Sequence, residues 1–254
     1  MLTQILRGTD WSKLGDYLSP AFFDTVSPIA LATKLGALSR SYVTRNGFAA
    51  ACANTQSILA SARLPISLSR GTTEPTAFMA ANLTPDHIGQ ALLELYFRQI
   101  FEVDTALLDF RSDRFSTEKN GTTAHLLWDP SPLFVQWEPS FISAIRRMYL
   151  SFYTGDWLGF DEALQSLGLT AGRDQLLAHF GSNQTAVTFR LQDFRSTFHQ
   201  IFVSVKKAKS RLPADFIAFG AGLVCLYEHL EALDVTADIS DVFFRSVNGL
   251  EIKR

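Results

Sequence analysis

The sequence predicts a mainly α fold: a helical bundle with one small β-hairpin at about residues 105–128. Three observations carry that expectation. Apolar residues recur at spacings of three and four over most of the chain. Ser-Pro and Thr-Pro steps mark helix starts, because proline's missing N–H costs nothing at the first helical position. One Asn-Gly step joins two segments of strand-like alternation.

Taken in order, Ser19-Pro20, Ser27-Pro28 and Thr84-Pro85 each place a capping hydroxyl before a proline. Ile29, Ala32, Leu35, Leu38 and Tyr42 form one stripe, which Asn46-Gly47 ends, and an alanine-rich helix follows from Phe48 to about Ala62. Pro65 to Pro85 gathers proline, glycine and hydroxyl residues with few charges. The chain therefore divides into an N-terminal helical segment (1–64), a linker (65–84) and a helical domain carrying the hairpin (85–254). From Thr84 to Glu102 nearly every uncharged position is apolar, which predicts a centrally buried helix with Glu94 and Arg98 on its remaining polar face.

The period then changes. Ala106 to Ser116 and Thr122 to Trp128, joined around Asn120-Gly121, are the two expected hairpin strands, and Asp129-Pro130-Ser131-Pro132 forces a rigid turn after them. Helices resume after Glu138-Pro139 with the stripe Phe141, Ile145, Met148, Tyr149 and Phe152. Asp156 caps a further helix facing inward through Phe160, Ala163, Leu164 and Leu167 before Gly168. Phe194, Phe198, Ile201, Phe202 and Val205 define another, and Pro213 to Leu233 a last long one. Its Gly220-Ala221-Gly222 step would admit a close neighbouring backbone.

Composition narrows the function. Across 254 residues, 23 Lys+Arg against 25 Asp+Glu leave a net charge of −2, with no field that would attract nucleic acid. Hydrophobic residues at 47% against charged residues at 19% exclude a disordered chain. Cys52 and Cys225 lie far apart in apolar helical contexts, so they form no disulfide framework and predict a reducing compartment. Met1 to Trp11 has no secretory pattern, and Phe216 to Tyr227 is shorter than the ~20 apolar residues of a membrane span, so the expected location is the cytoplasm.

No Gly-x-Ser-x-Gly elbow, Walker-type loop or His-Glu-x-x-His spacing occurs. Glu228, His229 and Glu231 cluster on the last helix, where a solvated helix end accounts for them. His199 beside the phenylalanine stripe is expected as a surface or hydrogen-bonded helix residue. Lys206, Lys207, Lys209 and Arg211 complement a helix C-terminus, and are also candidates for contact with an anion or a membrane surface. Asp109, Arg111, Asp113 and Arg114 alternate charge on the hairpin. If Asp109 and Asp129 meet at its base, two carboxylates become available to a hard cation such as Mg²⁺.

At these residues the chain resembles the C-terminal lobe of the UbiB-like atypical kinases, over roughly residues 84–240. Leu93 to Phe101 (LELYFRQIF), Leu107 to Phe115 (LLDFRSDRF), Asn120-Gly121, Leu126 to Pro130 (LLWDP), Gly155-Asp156 and Arg211 to Phe216 (RLPADF) follow that family's order. The resemblance implies Asp109 as the catalytic-loop aspartate and Asp129 as the metal-binding one. Leu107 stands where the family has histidine, Arg114 where it has the metal-binding asparagine, and Pro130-Ser131 where Phe-Gly is expected. Lys34-Leu35-Gly36-Ala37 is the nearest match to the family's Lys-x-Gly-Gln.

Three functions follow. The leading expectation is a non-catalytic, pseudokinase-like binding or scaffold protein with a protein partner and no cofactor. The second is a phosphotransferase or ATPase using ATP and Mg²⁺, with Asp109 and Asp129 at the metal and Arg111 or Arg114 neutralising phosphate. The third is a carrier of apolar ligand or lipid, motivated by 21 phenylalanines and the Gly-Ala-Gly helix, with the Lys206–Arg211 run facing a membrane.

Overall fold

A computed structural model describes residues 20–27, 29, 33, 36, 45–69, 83–120, 123–180 and 186–248. Among them the chain is mainly helical, and the helix starts follow the capping chemistry. Helix α1 (Pro20–Thr25) and helix α3 (Pro85–Glu102) begin at the expected prolines, and the Thr84 hydroxyl accepts the His87 N–H at 3.3 Å. Helix α2 spans Arg45–Ser61. Helix α4 (Pro139–Thr154) is capped by the Glu138 carboxylate, which accepts from the Ser140 and Phe141 amides. The stripe expected after Ser27-Pro28 lies largely outside the described residues, as do Met1 to Trp11 and most of the Lys34 to Ala37 motif.

Helix α5 (Trp157–Leu167) joins α4 through Gly155-Asp156, and each residue of that step has one physical task. Gly155 sits at φ 73° and ends α4 with its amide on the Phe152 carbonyl; the Asp156 carboxylate then accepts the Gly159 N–H at 3.0 Å and starts α5. Gly155→Ala and Asp156→Ala should each lower stability by about 1 kcal/mol in urea unfolding, one through left-handed strain and one through a lost cap.

Helices α6 (Arg173–Phe180), α7 (Leu191–Lys207), α8 (Phe216–Ala232) and α9 (Ile239–Val247) complete the bundle. Helix α3 is central, as its composition predicts. Ile88, Leu92, Leu93, Leu95, Phe97 and Ile100 are buried, and Arg98 on its polar face pairs with both Glu94 and Glu102 at 2.9 Å. Helix α8 is apolar almost all round; a Cβ on its Gly222 would stand 3.0 Å from Leu108, the close approach its small residues permit. None of the described helices is long and apolar enough to cross a membrane. Phe22 of α1 packs on Phe202 of α7, and Ala51 and Ile58 of α2 share one apolar core with α3 and α8.

The β structure differs from a single hairpin. Three small sheets occur among the described residues: β1 (Ile66–Leu68), β4 (Thr123–Trp128) and β3 (Phe115–Asn120) in the order β1-β4-β3; β2 (Thr105–Leu107) with β5 (Phe134–Gln136); and β6 (Val187–Thr188) with β7 (Thr236–Ala237). The expected hairpin exists as β3–β4, with Phe115 opposite Trp128 and Asn120 opposite Thr123. Its first strand is shorter than the expected Ala106 to Ser116, because Leu107 leaves to pair with Phe134 and a 3-10 turn over Ser112–Arg114 precedes β3. Ile66–Leu68, expected within the linker, is a strand parallel to β4, and its three residues are buried.

Candidate functional site

The irregular segment between β2 and β3 holds Asp109, which the resemblance marks as the catalytic-loop aspartate, together with Arg111 and Arg114. Leu108 N–H donates to the Leu133 carbonyl, the Trp128 indole N–H to the Asp109 carbonyl, and the His229 ring joins the Phe110 carbonyl at 3.0 Å. Trp128 is sandwiched between Phe110 and Phe115, each ring centroid 5.2 Å away. These tethers turn the Asp109 side chain inward, where it is 0% exposed.

Both oxygens of that carboxylate are engaged. Arg111 donates to both oxygens, at 2.6 and 2.9 Å, in the planar fork that guanidinium and carboxylate share. Ser131 donates its backbone N–H and its hydroxyl to Oδ2, and Arg114 Nε stands 3.3 Å from the same oxygen. Burial alone would raise the Asp109 pKa, but the hydrogen bonds from Arg111 and Ser131 and the Arg111 charge outweigh it and hold the carboxyl below its usual range. Arg111 and Arg114, the expected phosphate contacts, are thus both turned toward Asp109.

Asp129 has different partners. It is exposed, accepts the Ser69 hydroxyl at 2.7 Å, and its own amide donates to the Arg114 carbonyl. The hairpin base therefore brings together Asp109, Arg111, Arg114 and Ser131, while the Asp129 carboxylate pairs with the end of β1. Among the described residues no three His, Cys, Asp or Glu side chains are grouped as a metal site.

On α8, Glu228 and His229 are not the solvated helix end that composition suggests. Glu228 accepts the amide and hydroxyl of Ser112 at 2.9 and 2.7 Å, and His229 is buried. They fasten the 108–114 segment to α8. Sequence reading missed them, and missed Ser131, because their partners lie more than twenty residues away. Cys52 and Cys225 are both buried and unbridged, and burial pushes the Cys225 thiol up. His199 is exposed. Lys206, Lys207, Lys209 and Arg211 are exposed around the C-terminal end of α7, with Lys206 paired to Asp24 at 2.7 Å.

The second feature is an aromatic cavity of about 70 Å³ between α3, α4, α6 and α8, closed further by Phe198 of α7, Val187 of β6 and Ile239. That volume is several times the ~10–15 Å³ one water needs. Its walls are built from edge-to-face rings, Phe97 on Tyr149 at 5.4 Å and 90° and Tyr96 on Tyr149 at 6.3 Å and 88°. Four of its polar groups come in two pairs, the Tyr96 and Tyr149 hydroxyls at 2.8 Å and the Tyr227 hydroxyl with His179 Nε2 at 3.1 Å, and Tyr153 adds a further hydroxyl. Among the described residues, no Asp, Glu, Lys or Arg lines it. Burial keeps the site uncharged, raising Tyr96, Tyr149 and Tyr227 and lowering His179 to about 4. Sequence periodicity placed Met148 and Tyr149 on one inward stripe but gave no sign that the facing helices leave a gap.

Fold and site together define a mainly helical protein with a clamped polar loop on one side and an uncharged aromatic cavity within the bundle. No family model, curated protein or solved structure matches this chain.

Proposed function

We propose that this chain is a non-catalytic binding protein that holds an apolar small molecule in the aromatic cavity. The observation that carries the reading is the cavity itself: walls of Tyr, Phe and Leu, two hydroxyl-bearing pairs, and no Asp, Glu, Lys or Arg among the described lining residues. Concave, mostly apolar sites with a few convergent polar groups are the usual form of small-molecule sites.

The hairpin base supports the non-catalytic half of the reading. Phosphoryl transfer needs a carboxylate with lone pairs open to metal or to the attacking hydroxyl. Asp109 has its oxygens committed to Arg111 and Ser131, so its role here is that of a pseudokinase-like clamp. ATP with Mg²⁺ should therefore leave the melting temperature unchanged, since only a ligand of the native state raises it. Buried, unbridged Cys52 and Cys225 fit a reducing compartment such as the cytoplasm.

The direct test is thermal unfolding with the hydrocarbon α-methylstyrene. Wild-type chain should melt higher in its presence. Val187→Trp, which places a large ring at a half-buried lining position, should keep its own melting temperature and lose the shift. An unshifted wild type at the solubility limit of the probe would overturn the reading.

A further inference from the structure

Among the described residues, the Tyr96–Tyr149 pair in the cavity wall holds one hydroxyl proton more than it has acceptors for. The Tyr96 and Tyr149 oxygens lie 2.8 Å apart and share a single hydrogen bond, in which one hydroxyl donates and the other accepts. The accepting tyrosine keeps its own O–H, and among the described residues that proton has no acceptor. Both side chains are buried, at 7% and 4% exposure, so bulk water does not supply one. Of the other described polar lining residues, Tyr227 and His179 are joined to each other, and Tyr153 makes no hydrogen bond to the pair. A buried donor left without a partner is costly, which makes the spare proton a recognition element as well as a defect.

We infer that the cavity selects a neutral, apolar molecule carrying one carbonyl or ether oxygen, seated against the Tyr96–Tyr149 hydroxyl pair. The inference rests on the reading of the cavity as a ligand site. An acceptor oxygen satisfies the spare proton, while the rest of the molecule lies among rings. A carboxylate head is disfavoured, because it would surrender its hydration to a wall whose described residues include no Lys, Arg or protonated histidine. A pure hydrocarbon fits the walls but leaves the proton unpaired.

The pair has a distinctive mutational signature. Tyr96→Phe or Tyr149→Phe removes one hydroxyl together with the internal bond, so the remaining O–H still points a proton at the ligand. Only the double variant removes the donor. Acetophenone and α-methylstyrene, which differ in C=O against C=CH₂, are the probes, titrated calorimetrically against wild type, both single variants and the double variant. Each single variant should bind acetophenone within about threefold of wild type, and the double variant roughly five- to tenfold more weakly. Binding of α-methylstyrene should not weaken in any of them. The carbonyl stretching band of bound acetophenone should lie at lower frequency in wild type and in both single variants than in the double variant.

Failure of α-methylstyrene to bind wild type sinks the ligand-site reading. Binding of both, with the double variant losing no acetophenone affinity, overturns the carbonyl inference alone and assigns the spare proton to a trapped water. If the double variant does not fold, the wild-type spectrum decides: a carbonyl band at its dry-hydrocarbon frequency contradicts the inference.

Discussion

Asp109→Ala should lower the stability of the folded chain by about 3–5 kcal/mol, read as a reduced urea midpoint at unchanged slope. Burying an ion pair brings little net gain, but removing one partner takes the other charge from its main counter-charge. Arg111 has a side chain only 10% exposed, and its fork is filled by Asp109. The substitution also strips Ser131 of its acceptor and releases Arg114 from its 3.3 Å contact. The same logic predicts a rescue. Replacing both members of the pair, Asp109→Leu with Arg111→Met, should recover a large part of the loss, since two apolar side chains remove the buried charge pair and Arg114 keeps Asp113 at 3.7 Å. A loss below about 1 kcal/mol for Asp109→Ala would mean that the carboxylate is no clamp, and would return it to the catalytic role.

Acid should weaken the fold well before its carboxylates titrate. His179 is held neutral by burial, with a folded pKa of about 4 against an ordinary value of 6.5. Above pH 6.5 both folded and unfolded chains carry the neutral ring, and the group contributes nothing. Between pH 6.5 and 4 the unfolded chain takes up a proton that the folded chain refuses, so stability falls as pH falls, by on the order of 3 kcal/mol across the window. His229 acts in the same direction. Its burial lowers the pKa, and the Phe110 carbonyl and Glu228 charge only partly oppose that. Asp109 enters later: its folded pKa lies below 3.8, so its contribution is intact above 3.8 and is lost as pH drops through the folded value. Urea midpoints at pH 7 and pH 4.5 test the assignment. His179→Gln, whose side-chain oxygen can still accept from Tyr227, should lose distinctly less stability between the two than wild type does. Equal losses in both would place the acid sensitivity elsewhere.

Local chemistry made part of this fold legible in the sequence. Thr84-Pro85, Glu138-Pro139 and Gly155-Asp156 each carry their own cap, so their helix boundaries follow from two or three adjacent residues. Helix α3 reads as central because nearly every uncharged position on it is apolar. Leu107 was legible as a strand residue, but its partner Phe134 lies across the Asp129–Pro132 turn, and nothing nearby distinguishes that pairing from a continued hairpin. Strand β1 hides for the same reason: three buried residues between prolines gain strand character only from β4. At the hairpin base, alternating Asp109, Arg111, Asp113 and Arg114 look like an exposed ladder, whereas Asp109 is buried and closes on Arg111. The cavity is the least legible feature, since it is the space left between helices whose individual stripes all look like ordinary core.

The ε-methyl resonance of Met148 offers the most direct test of the cavity as a binding site, because Met148 lines it and the chain has only 3 methionines to assign. Titration with α-methylstyrene should move the Met148 methyl signal saturably, through the ring current of a molecule lodged against it, and Val187→Trp should suppress the movement. A Met148 signal that stays fixed up to the solubility limit of the probe would contradict the account and leave the aromatic cavity as a packing void.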